Sequence, residues 1–211
     1  MRESIVQIYL LLFRIFYRIF CLLPLRPVTL FWVTYGDNVK PINDALLTEF
    51  PKEKRYLVYD KKFVKNPEAW STEYALPYRR LRFIRLAYLL ATSKHLFIDN
   101  YIGEYSVAPI RQGTKRIQLW HAAGTLKKFG LTSSRSLMVP KHVLRRFKRV
   151  YQRYGDFIVP GEACAKQFMA PHDLPRTVFK TLGVPRTDYW FNEQHQIVKK
   201  RLSDIYVKPK R

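Results

Sequence analysis

The chain has 211 residues, 47% of them hydrophobic, and carries 38 Lys and Arg against 16 Asp and Glu. That length suits one domain with a sizeable core, and a formal net charge of +22 calls for anionic partners: lipid headgroups, phosphorylated substrates or nucleic acid. With Cys21 and Cys164 the only cysteines and five scattered histidines, the sequence excludes a disulfide framework, a CxxC motif and a metal-ligand cluster, and it fits a reducing cytosol.

Residues 3 to 23 are mostly apolar, with Arg14 and Arg18 one helical turn apart on one face. Mid-segment charges and the lack of a small-residue cleavage site exclude a signal peptide. A transmembrane span would bury two arginines near the bilayer centre, at about 2.5–3.5 kcal/mol each. An interfacial helix in the headgroup plane avoids that cost, and a core helix of the domain is the ordinary alternative. Residues 1–26 are assigned to an interfacial membrane-associating helix, stopped by Pro24 and Pro27.

Val28 to Thr34 reads as a strand, rich in β-branched and aromatic residues. Gly36, Asp37 and Asn38 form a turn in which Asp37 or Asn38 caps a helix running to about Phe50. Arg55 to Asp60 is the next strand, and Ser71 to Tyr78 is open between loop and short strand. The spacing of Leu81, Ile84, Tyr88 and Ala91 predicts a helix over Arg79 to Thr92. Short strands follow at His95 to Asp99 and Arg116 to Trp120.

The spacing of Val143, Phe147, Val150, Tyr151 and Tyr154 predicts a helix from Lys141, whose other faces carry Arg145, Arg146 and Arg149. It is either a solvated face over a core stripe or a basic amphipathic helix against an anionic membrane or polyphosphate chain. Asp156 to Val159 is a strand, Gly161 to Met169 a helix and Thr177 to Leu182 a strand. A turn at Gly183 to Asp188 and a terminal helix toward Tyr206 complete the chain. From Tyr105 to Gly155 there is no Asp or Glu against twelve Lys and Arg, a surface suited to negative charge.

Strands alternating with helices predict an α/β domain over residues 27–211, with a Rossmann-like parallel sheet and helices on both faces. Ligands in such sheets bind beyond the carboxyl ends of the strands. Gly36, Asp37 and Asn38, then Asp99 and Asn100, then His121 and the turn Gly183 to Asp188 all fall there. Within residues 116 to 130, a short strand delivers His121 to the small residues Ala122, Ala123 and Gly124, ahead of Lys127 and Lys128. A neutral-range imidazole, close backbone approach and two lysines suit phosphate chemistry; an ordinary histidine in a βα loop is the alternative.

Gln118-Leu119-Trp120-His121, Gly124 and Leu126-Lys127-Lys128-Phe129-Gly130 resemble the signature of the CDP-glycerol glycerophosphotransferases, the teichoic-acid primases and polymerases. Gly183-Val184-Pro185-Arg186-Thr187-Asp188 resembles that family's Gly-x-Pro-Arg-x-Asp turn, and the resemblance runs from about Val28 onward. One departure is Trp-His-Ala-Ala-Gly where many members read Trp-His-Gly. The resemblance implies the N-terminal domain of a GT-B fold and transfer of glycerol phosphate from CDP-glycerol to a lipid-linked acceptor. It also implies His121 as general base, and Trp120, Gly124, Lys127 and Lys128 as substrate-binding residues. Arg186 and Asp188 pair with each other or contact the ligand.

The resemblance further implies that a second Rossmann domain supplies the donor site, so CDP-glycerol is a partner only if that domain is present. The chain then reads as the acceptor half, peripheral on the cytoplasmic face of the plasma membrane. Arg14, Arg18, Arg145, Arg146 and Arg149 face anionic lipid, and no cofactor or metal is expected. A non-catalytic module binding an anionic lipid-linked polymer is the first alternative. A nucleic-acid binder is the second; it rests on charge alone, since no nucleic-acid motif is present.

Overall fold

In the structure, a computed structural model, residues 2–124 and 127–190 are described. Helix α1 (Arg2–Phe20) leads into β1 (Arg26–Val33), α2 (Lys40–Glu49), β2 (Lys54–Tyr59) and β3 (Tyr74–Pro77). Then come α3 (Phe83–Thr92), β4 (Ser93–Ile98), β5 (Lys115–Gln118), the single turn α4 (Ser134–Leu137), α5 (Lys141–Tyr151), β6 (Asp156–Val159), α6 (Glu162–His172) and β7 (Phe179–Thr181).

The seven strands form one sheet in the order β3-β2-β1-β4-β5-β6-β7, every pairing parallel. The period-2 alternation of β1 explains its central place. Leu30 and Trp32 join a large core with α1, α3, α5 and α6, while Phe31 and Val33 join a smaller one with α2 on the opposite face. The Rossmann-like sheet with helices on both faces is therefore present. Ser71 to Tyr78 contributes the edge strand β3, closing with Pro77, where a missing N–H costs no pairing.

Three local expectations change. The α2 cap is Val39 with no side-chain bond, because the Asn38 amide is turned instead to the carbonyls of Leu119 and Trp120. The helix expected from Arg79 begins at Phe83, after a 3-10 turn at Arg80–Arg82. Its buried stripe is only partly as expected: Ala91 is buried and Tyr88 packs against the core, but Leu81 and Ile84 are exposed, and Leu86, Ala87, Leu89 and Leu90 are buried in the same core. The terminal helix expected toward Tyr206 lies outside the described residues.

Helix α1 has two apolar faces. Phe13 and Tyr17 are fully buried, and the Tyr17 hydroxyl donates to the Pro109 carbonyl at 2.6 Å. The outer face leaves Ile5, Ile8, Leu11, Ile15 and Ile19 between 46% and 64% exposed. Arg14 and Arg18 are exposed as well. Among the described residues, no helix is long and apolar enough to cross a membrane.

Candidate functional site

The strand order reverses between β1 and β4, so the turns that follow these two strands meet in a crevice at the sheet's C-terminal edge. Asp99, the first residue after β4, is buried there. Its Oδ1 accepts the Thr34 amide at 2.7 Å, and its Oδ2 accepts those of Tyr35 and Gly36 at 2.9 and 2.7 Å. Burial pushes the Asp99 carboxyl above the usual range, opposed by these three N–H groups and by His121 nearby. The turn itself needs glycine: Gly36 has φ +93°, and an added Cβ would lie 2.9 Å from the Trp70 ring.

His121 stands on the next strand exit. Leu119 N extends the β4–β5 pairing by donating to the Ile98 carbonyl at 2.8 Å. Trp120 then takes the left-handed conformation, φ +52°, with its amide donating to Gln118 Oε1 at 2.8 Å. Gln118 Nε2 in turn donates to the Asn100 carbonyl, joining the β4 and β5 exits. This sharp turn presents the imidazole between two rings, with the Trp120 centroid at 4.6 Å and that of Tyr35 at 4.7 Å.

His121 Nδ1 lies 3.0 Å from the backbone carbonyl of Asp99. A carbonyl only accepts, so Nδ1 carries the proton and Nε2 keeps a lone pair. Asp99 thus fixes the histidine tautomer through its backbone and the β1 turn through its side chain. The half-buried ring is held in orientation with its basic nitrogen uncommitted to that bond, the arrangement a general base requires.

The structure gathers Gly36, Asn38, Trp120, His121 and Arg186 at this edge. Asn38 bonds across to β5's exit, and Arg186 donates to the His121 carbonyl at 3.4 Å. Among the described salt bridges Arg186 and Asp188 do not pair, since the guanidinium is turned toward the histidine and Asp188 is exposed. Asp37 is exposed beside Lys40 and Lys65 in a shallow pocket that Tyr35 and Gly36 also line. Gly124, Lys127 and Lys128 are exposed on the loop beyond His121.

Sequence reasoning marked Asp99 as an edge residue and missed its two anchoring roles, which depend on backbone geometry. It also missed Tyr35 as the histidine's cover and Gln118 as its brace. An aromatic immediately before Gly36 was the available signal for the first. Among the described residues, no group of His, Cys, Asp and Glu is arranged to hold a metal ion.

Fold and site define a Rossmann-type domain with a tautomer-fixed histidine at its topological switch point. The model of the family CDP-Glycerol:Poly(glycerophosphate) glycerophosphotransferase matches residues 15–210, and the chain belongs to that family. It is 33% identical over 160 residues to the teichoic acid glycerol-phosphate primase of Bacillus subtilis (strain 168), covering 76% of this chain and 36% of that protein. It is 24% identical over 184 residues to the corresponding primase of Staphylococcus aureus (strain NCTC 8325 / PS 47), covering 86% of this chain and 49% of the relative. Among solved structures, the wall teichoic acid polymerase TagF superposes with TM-score 0.66 at 16% identity, over 88% of this chain and 46% of that one. The chain spans less than half the length of each of these relatives.

Proposed function

We propose that this chain is the acceptor-side half of a glycerophosphotransferase of teichoic-acid biosynthesis, working at the cytoplasmic face of the plasma membrane. In this reading His121 Nε2 takes the proton of an acceptor hydroxyl. The hydroxyl oxygen bonds to the glycerol-bearing phosphorus of CDP-glycerol, the pyrophosphate P–O bond breaks, and CMP leaves. A second domain holds the donor nucleotide. The single observation that carries the reading is the Nδ1 bond to the Asp99 carbonyl, which leaves the other nitrogen basic.

The test is CMP release from CDP-glycerol with a lipid-linked acceptor, measured on this chain supplied with a family donor-binding domain. His121→Asn is expected to lower kcat by at least about 100-fold while leaving the melting temperature nearly unchanged. A variant that keeps more than about a tenth of the rate removes His121 from the base role.

The membrane assignment draws support from the outer face of α1, where Ile5, Ile8, Leu11, Ile15 and Ile19 are exposed beside Arg14 and Arg18. Arg145 and Arg149 add exposed charge on α5, while Arg146 is tied to Glu3. Ile8→Glu with Ile15→Glu is expected to abolish sedimentation with anionic vesicles. Unchanged sedimentation of the double variant would discard the membrane reading.

A further inference from the structure

The edge of the sheet opposite His121, where the strands begin, holds a cavity of about 880 Å³ that the reading above leaves without a role. Its wall comes from the starts of β1, β2 and β4 and from the turn that ends α2. We infer that this cavity is a second ligand site, which takes a nucleoside polyphosphate at the far end of the strands from His121. The inference goes beyond the glycerophosphotransferase reading and does not rest on it.

Charge comes first. Arg26, Lys52, Lys54 and Lys94 line the cavity against a single acid, Glu53. That carboxylate is turned to the protein: its Oε1 accepts from the buried Thr29 hydroxyl at 2.5 Å and lies 3.2 Å from His95 Nδ1. The three lysines are exposed, and none is in an ion pair among the described residues. Cations at this edge have an ordinary explanation, since α2 and α3 end here and helix C-termini favour positive charge. Those ends are already served. Arg55 donates to the carbonyls of Phe50 and Glu53 at 3.3 and 2.9 Å, and Arg111 to that of Ala91 at 3.0 Å. Lys52, Lys54 and Lys94 are therefore surplus to the fold. Like charges around one cavity repel one another, and an anion among them relieves that repulsion.

Arg26 differs from the lysines in being held. Its Nε and one terminal nitrogen donate to Thr92 Oγ1 at 3.2 and 2.9 Å. Its guanidinium carbon lies 4.7 and 5.5 Å from the ring centroids of Tyr88 and Tyr56. The side chain is thus fixed before any ligand arrives, and its other terminal nitrogen, Nη1, has no hydrogen-bond partner among the described residues. A planar donor held by two rings is pre-organised for phosphate oxygens, which a mobile lysine is not.

The rest of the wall selects what carries the phosphates. Phe50 is 58% exposed where α2 ends, and Pro27, Pro51 and Tyr56 continue the apolar surface beside it. A phenyl ring beside a basic cavity offers a stacking face for a flat heterocycle. Inorganic phosphate would leave this face unused, and an alkyl chain has no need of the lysines. The volume also falls within the range of small-molecule sites, about 300–1,000 Å³, whereas a nucleic-acid strand needs a groove that tracks its backbone. A base on Phe50 with its phosphates among Arg26, Lys52, Lys54 and Lys94 uses every one of these features.

The test titrates the full chain calorimetrically with ATP and with CTP at physiological ionic strength, against inorganic tripolyphosphate and CMP. Saturable one-to-one binding of both nucleoside triphosphates is expected, because a phenyl face distinguishes bases weakly. Both should bind at least about tenfold tighter than tripolyphosphate, the weight of one stacked base. CMP should bind at least about tenfold more weakly than CTP, for want of the phosphates that meet the lysines. Lys52→Gln with Lys94→Gln, both exposed and outside any described ion pair, is expected to weaken ATP by about tenfold. Phe50→Ala is expected to bring ATP down to the affinity of tripolyphosphate, while His121→Asn leaves ATP binding as it was. No saturable binding of either nucleotide, tripolyphosphate binding as tightly as ATP, or unchanged affinity in both the lysine and Phe50→Ala variants overturns the inference. So does loss of ATP binding in His121→Asn, which would put the nucleotide at the other edge of the sheet.

Discussion

Two histidines touch the same indole. Trp120 stacks on His121 and meets His172 edge-on, with ring centroids 5.1 Å apart. Each histidine sets its Nδ1 against a backbone carbonyl, Asp99 for His121 and Phe168 for His172, at 3.0 and 2.9 Å. The tautomer is therefore the same, and the difference is water. His121 is half-buried at the sheet edge. His172 is fully buried at the end of α6 among Phe129, Tyr151, Tyr154, Phe157 and Phe168, and its Nε2 has no partner among the described residues. One ring is open to solvent at the sheet edge and the other is walled in by aromatic rings, so a histidine's hydrogen bond does not by itself assign it to chemistry.

That contrast breaks most sharply in acid. Burial drives the His172 pKa down to about 4, with the Phe168 carbonyl acting weakly the other way. Between pH 6.5 and about 4 the unfolded chain therefore binds a proton that the folded one refuses. Stability is fully present above the unfolded pKa and is lost as pH falls through this window, by roughly 3 kcal/mol in total. His172→Phe keeps an aromatic ring in the cage and is expected to flatten this part of the pH profile in urea unfolding. An identical acid slope in both proteins would show that the buried imidazole is not its source.

A smaller effect sharpens the other side of the comparison. Asp99→Asn keeps size and shape but turns an amide donor toward at least one of the N–H groups of Thr34, Tyr35 and Gly36. Leaving a buried donor unpaired costs about 1–3 kcal/mol, so thermal unfolding should shift by an amount near the middle of that range. The Asp99 carbonyl persists in the variant, and His121 keeps its tautomer; kcat is therefore expected to fall through a loosened Tyr35 cover and by less than in His121→Asn. Equal losses in the two variants would mean that the carboxylate acts on the reaction directly.

Much of the frame was legible because the strands announce themselves. Leu30, Phe31, Trp32 and Val33 are apolar on both sides, as a central parallel strand must be, and Asp156 to Val159 was bounded as found. His121 could be placed at a strand exit because a short apolar run ends in a cluster of small residues. The α3 face was read correctly at Tyr88 and Ala91 and misread at Leu81 and Ile84, because burial there is set by α1 packing over the helix from far away in sequence, which periodicity does not record. Asn38 was read as a cap because caps are local and common; its partners, Leu119 and Trp120, are local only in space. Arg26 could not be singled out at all, since its partners Tyr56, Tyr88 and Thr92 come from β2 and α3.

The three amides gathered on Asp99 have a consequence for where nucleotide can sit. Successive backbone N–H groups in a turn after the first strand form a nest for anions, the position at which doubly wound dinucleotide-binding domains hold pyrophosphate. Here the nest is already filled by the protein's own carboxylate, which meets all three donors at 2.7–2.9 Å. A diphosphate approaching the same turn would meet a negative charge in place of free N–H groups. The domain keeps the architecture of a nucleotide binder while its own carboxylate occupies the usual phosphate seat.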